Sequence, residues 1–132
     1  MRDNLVHFSL SLGGIVEQRI TDVERLKKEV RRLAAGRVLA GESADVCLDL
    51  ARMKGCRVCL TAGYGSLSHE PQPAPRDRLI WILDGFAEIG DTSGQSTTIS
   101  QGESTVLVAG KAYRLTFPQL TLYLCVEAAE KP

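Results

Sequence analysis

Residues 63–117 alternate apolar and polar side chains in short runs bracketed by glycines, and this pattern constrains the fold more than any other feature of the chain. The stretch reads G-Y-G-S-L-S-H-E-P, then R-L-I-W-I-L-D-G, and later G-E-S-T-V-L-V-A-G-K-A-Y. Two-residue periodicity marks a strand with one buried face, and glycine supplies the positive φ that tight turns between such strands require. The spacing is that of two linked β-hairpin motifs.

The alternation extends beyond this stretch. Strands are expected over 44–53, 57–62, 79–83, 86–89, 97–100, 105–108, 113–117 and 121–127. Lys54-Gly55, Asp91-Thr92-Ser93-Gly94 and Gln101-Gly102 supply turns between them. Pro71, Pro73 and Pro75 mark a loop, because repeated prolines deprive a central strand of donors. Short strands with regular turn signals point to an all-β barrel or sandwich. Residues 4–12 alternate weakly as a first strand, and 15–20 read as a second strand or an irregular lead-in.

One helix interrupts the β pattern. Thr21-Asp22-Val23-Glu24 fits a capping box, and Val23, Leu26, Val30 and Leu33 form an apolar stripe at three- and four-residue steps. Glu24 and Lys28 are placed for an i,i+4 pair, and Gly36 reads as the stop, which puts the helix over about 22–35. Its outer basic residues suit a solvated face near the helix C-terminus. The chain divides into residues 1–40, a strand and helix packing on the barrel, and residues 41–132, the barrel itself, within a single domain.

At 132 residues the chain is long enough to bury a core without staples. Sixteen basic residues balance sixteen acidic ones, so no global field favours nucleic acid or a membrane surface. No apolar run approaches the roughly 20 residues of a membrane helix. Residues 1–14 lack a clear basic lead and cleavage site, so the expected location is cytoplasmic. There Cys47, Cys56, Cys59 and Cys125 read as reduced thiols. Cys56 and Cys59 have C-x-x-C spacing, but residues three apart on a strand face opposite ways, so their sulfurs should diverge.

The glycine spacing of the two hairpin motifs resembles the double motif of the cupin superfamily, small β-barrels of the double-stranded β-helix or jelly-roll type. The first motif, G-x5-H-x-H, three or four residues, E, x6, G, aligns Gly63, His69 and Gly85. Pro71 falls on the second histidine and Arg78 on the glutamate. The second motif, G-x5-P-x-G-x2-H-x3-N, begins at Gly102 and keeps Gly110. Val108, Tyr113 and Phe117 replace its proline, histidine and asparagine. The resemblance covers about half the chain directly.

In cupins with the full pattern, three histidines and a glutamate bind a divalent metal within the barrel. Here only His69 remains, and a guanidinium that is always protonated takes the carboxylate position. The expectation is a degenerate motif with no metal and no cofactor. The family pattern implies that the face bearing Arg78, Ile80 and Ile82 lines the barrel, gathering Arg78, His69 and Tyr113 at its mouth. One cation with two neutral donors suits a carboxylate, phosphate or enolate oxygen. The leading reading is a metal-free barrel that binds a small anionic metabolite as sensor or carrier, with Arg78, His69, Tyr113, Ile80 and Ile82 as ligand-binding residues. One alternative is a metal-independent isomerase or epimerase acting on a carbonyl sugar or keto acid, with His69 and Tyr113 catalytic. Another is a structural or protein-interaction barrel. The opposite face, with Trp81, is expected to be covered by α-helix or by a second subunit in a homodimer.

Overall fold

Local capping and alternation sort the chain into a helix followed by antiparallel strands, and a computed structural model shows how they pack. It describes residues 5–11, 15–67 and 70–128, with side chains from Asp22 onward. Strands β1 (Leu5–Ser11) and β2 (Ile15–Thr21) pair antiparallel. No described helix is long and apolar enough to cross a membrane.

Helix α1 spans Val23–Leu39. Its N-cap is Asp22, whose carboxylate accepts the Arg25 N–H at 3.1 Å. The expected stop at Gly36 is corrected. A Cβ added at Gly36 would meet nothing within 4 Å, so the residue sits in the open and the helix runs through it. Glycine there costs about 1 kcal/mol relative to alanine, too little to end a helix held by packing. The chain turns at Gly41 instead, with φ of 79°. Three N–H groups, of Ala40, Gly41 and Glu42, donate back to the last helical carbonyls. Glu24 pairs with Lys27 at 3.2 Å rather than with Lys28, and Arg32 pairs with Glu29 at 2.6 Å.

The barrel is built from β3 (Ala44–Met53), β4 (Cys56–Ser66), β5 (Gln72–Pro73), β6 (Arg78–Asp84), β7 (Phe86–Gly90), β8 (Ser96–Ser100), β9 (Ser104–Leu107) and β10 (Ala112–Ala128). The strand order is β3-β4-β10-β6-β9, with β5 and β7 also on β10 and β8 on β7. The separate strands expected over 113–117 and 121–127 are one. The first part of β10 pairs with β5 and β7, and the later part with β6. Its register against β4 shifts between Phe117 and Thr121. Pro118 lies within this irregularity, where a missing N–H is tolerated. The proline therefore bends the strand between two walls of the barrel without ending it. Thr121, fully buried, holds the bend: its Oγ accepts the Phe86 N–H at 3.3 Å and donates to the Gln119 carbonyl at 2.9 Å or that of Phe86 at 3.0 Å.

Alternation then sorts side chains into two layers. Ile80, Ile82, Ala87, Ile89, Ile99, Leu107, Leu115, Phe117 and Tyr123 fill the barrel. Leu26, Val30 and Ala34 of α1 pack on Ala44, Leu60, Ala62 and Leu122 outside it. Each large aliphatic side chain buried this way contributes about 1.5–3 kcal/mol. Asp84 anchors the helix further through Arg31 at 2.7 Å. Helical cover is partial. Trp81 is 45% exposed, and Val106, half exposed, lies on the neighbouring edge strand β9.

Candidate functional site

At one end of the barrel, the first residue of β6 and the early residues of β10 enclose a cavity of about 250 Å³. Leu67, Leu107 and Leu115 give it apolar walls, and residues 72–76 fold across it with Gln72, two prolines, Ala74 and Arg76. The loop is pinned to the barrel by β5, which pairs Gln72 and Pro73 with Tyr113 and Ala112. The Ala74 N–H donates to the Lys111 carbonyl, and the Gly110 N–H donates to that of Ala74. Three ionisable groups and one phenol complete the wall: Arg76, Arg78, Glu127 and Tyr113.

Arg76 and Glu127 form an ion pair at 3.2 Å. Arg78 is half-buried, and its side chain makes no hydrogen bond or ion pair among the described residues. Carboxylates that might have claimed it are engaged elsewhere: Asp77 accepts the Ala109 N–H at 2.8 Å, and Asp84 holds Arg31. Tyr113 Oη accepts the Val108 N–H at 3.0 Å, which leaves its own proton to donate. Two unused donor groups, one cationic, thus face one small cavity, whose three charged groups carry a net single positive charge.

Arg78 also borders a second hollow, of about 190 Å³, which it shares with Glu127. Register explains the sharing, because Glu127 lies opposite Arg57 on one side and Arg78 on the other. This hollow holds Asp45, Cys47, Cys59, Thr61, Tyr123 and Cys125. Tyr123 Oη donates to Asp45 Oδ1 at 2.9 Å. Asp45 is exposed as a residue, but its carboxyl turns inward to this bond. Burial raises its pKa against the opposing pull of the Tyr123 hydrogen bond and the Arg78 charge. Burial also raises Tyr123, and it pushes the Cys125 thiol up to about 11 although Arg78 pulls the other way.

The residues singled out in the sequence fall into three groups. Arg78 and Tyr113 meet on the wall of the same cavity. Ile80 and Ile82 do face into the barrel beside them, but they are fully buried and form core rather than cavity wall. His69 lies outside the described residues. Arg114 borders a separate open hollow with Glu70 and Asp91. Cys56 and Cys59 diverge as expected: Cys59 joins the barrel core, Cys56 does not, and all four cysteines are free. Arg76 and Glu127 escaped the sequence reading. They are 51 residues apart in the chain and meet only through the closing of β10 against β6.

No protein-family model matches this chain, and no curated protein sequence matches it. Solved structures do. The EutQ protein of Clostridium difficile is similar over 97% of this chain and 97% of its own, at TM-score 0.68 and 14% identity. A cupin-2 domain containing protein from Shewanella frigidimarina is similar over 64% of this chain and 80% of its own, at TM-score 0.58 and 18% identity. A cupin superfamily protein from Desulfitobacterium hafniense covers 66% and 79%, at TM-score 0.55 and 17% identity. The fold is the cupin jelly-roll barrel, and at these identities the likeness speaks for the fold alone. The metal that the fold implies does not fit the residues at the motif positions. Pro71 offers no donor, Arg78 presents a fixed positive charge, and Tyr113 has its oxygen engaged by the Val108 N–H.

Proposed function

We propose that this cupin-fold barrel binds a small anionic metabolite, as a sensor or carrier, in the cavity lined by Arg78 and Tyr113. The observation that carries the reading is the half-buried Arg78 guanidinium, which lines the cavity and makes no side-chain hydrogen bond or ion pair among the described residues. An anionic oxygen in the cavity would match it with a charge-assisted hydrogen bond. Tyr113 supplies a second donor, and the leucines and prolines take the ligand's carbon skeleton. At about 250 Å³ the cavity suits a molecule smaller than a nucleotide.

Native mass spectrometry of the purified chain tests this directly. A small anion retained by the parent and lost from Arg78→Ala supports the reading; no retained species, and none after incubation with phosphate or short-chain carboxylates, removes it. The same spectrum tests a homodimer through the outer face with Trp81, whose mass should revert to that of a monomer in Trp81→Glu. The isomerase reading is favoured by one feature, the free O–H of Tyr113 beside a cation on a cavity wall. Solvent deuterium entering a keto acid or carbonyl sugar, and lost in Tyr113→Phe, is its signature.

A further inference from the structure

The face of β3 and β4 turned away from α1 carries chemistry that the anion reading does not use. Asp49 lies opposite Cys59 across the strand pair, and Cys47, two residues earlier, lies opposite Thr61. Residues two apart on a strand share a face, so Cys47, Asp49 and Cys59 converge. One ligand atom from each falls within 4.8 Å of the other two. All but Asp49 border the hollow of about 190 Å³.

We propose that Cys47, Asp49 and Cys59 bind a thiophilic divalent cation of the zinc class, with ligands other than the residues at the motif positions. Two sulfurs and one carboxylate oxygen select a borderline-soft ion, since calcium and magnesium take oxygen donors alone. A tetrahedral ion would keep its fourth position for water. Both thiols release their protons to solvent on binding, so two thiolates and a carboxylate surround the ion.

The metal-free cluster already contains a cation. Arg57 Nε donates to Asp49 Oδ1 at 2.8 Å, and its Nη2 approaches Cys47 Sγ at 3.8 Å. Arg52 holds the other Asp49 oxygen at 3.1 Å. These guanidinium groups balance the donors until an ion arrives. Arg57 then exchanges one exposed ion pair for water, a small loss because pairs at 39% and 40% side-chain exposure are weakly held. Arg57 is therefore a competitor for the site, and its removal tightens binding.

The test uses the full chain, reduced and freed of metal, titrated with cobalt(II) as a coloured stand-in and then competed with zinc. The expected result is one equivalent of cobalt with thiolate-to-metal charge-transfer absorbance, displaced by zinc. Cys47 is exposed, so Cys47→Ser should fold normally by circular dichroism. Its affinity should fall by at least the roughly 10–100-fold that loss of an outer metal partner costs. Arg57→Gln should bind more tightly, and Cys56→Ser, outside the cluster, should match the parent. Absence of saturable binding, undiminished cobalt affinity in Cys47→Ser, or equal loss in Cys56→Ser would each overturn the assignment. None of these readings depends on whether the Arg78 cavity binds an anion.

Discussion

Replacing Gly63 with alanine tests how the barrel interior is filled. Gly63 has no positive φ, so the backbone accepts alanine and only space decides the outcome. A Cβ there would sit 2.6 Å from Phe117 Cε2 and 2.7 Å from Cδ2, well inside the 3.4 Å at which ordinary contact begins. The ring cannot step aside. Phe117 is fully buried and stacks on Tyr123 with centroids 5.2 Å apart and 12° between planes. Tyr123 is in turn fixed by its bond to Asp45. Overpacking of this kind costs about 1–3 kcal/mol, and the locked ring places Gly63→Ala near the upper end. For a chain of this size that lowers the melting temperature by about 10 °C. Thermal and urea unfolding followed by circular dichroism give the value. Phe117→Leu alone costs about 1–2 kcal/mol, but combined with Gly63→Ala it opens space for the new methyl, so the double variant should lose less than the two singles together. A Gly63→Ala protein within about 0.5 kcal/mol of the parent, or strict additivity in the double, would refute the packing argument.

The remaining predictions are smaller or differ in sign. Gly36→Ala, with open space around its Cβ and a helical backbone, should stabilise the protein by about 0.5–1 kcal/mol in the same unfolding assay. Asp45 is held above the usual carboxylate range, so the folded state keeps its proton longer than the unfolded chain does. Its contribution is therefore full below the unfolded value and is lost as pH rises through the folded one. Asp45→Asn should flatten that acid-side slope in urea midpoints measured across pH, and an unchanged slope would count against the desolvation of the Asp45 carboxyl.

Much of the barrel was legible because its signals are local. Alternation places Ile80 and Ile82 inward and Trp81 outward with no knowledge of the neighbouring strands, and the structure keeps them there. Gly36 misled because a helix end is decided by packing and by the next residue able to turn, which is Gly41. The strands expected over 113–117 and 121–127 are one because β10 changes partners along its length, which turns the irregularity at Pro118 into a bend. The site divides the same way. Arg78 and Tyr113 share a wall as the motif spacing implied, whereas Glu127 and Arg76 meet only through β10–β6 closure. The alternation of Asp45, Cys47 and Asp49 was visible in the sequence. That Cys59 stands opposite Asp49 depends on the β3–β4 register, and spacing within one strand does not contain it.

The central claim, that Arg78 is the anchor of an anion site, is tested most directly by calorimetric titration of the parent and Arg78→Ala with inorganic phosphate and a series of short-chain carboxylates. Saturable binding of at least one of them at one site per chain is predicted, weakened about 10–100-fold in Arg78→Ala, as expected for loss of a charge-assisted hydrogen bond. Binding of equal strength in both proteins, or no saturable heat with any of the anions, would contradict it.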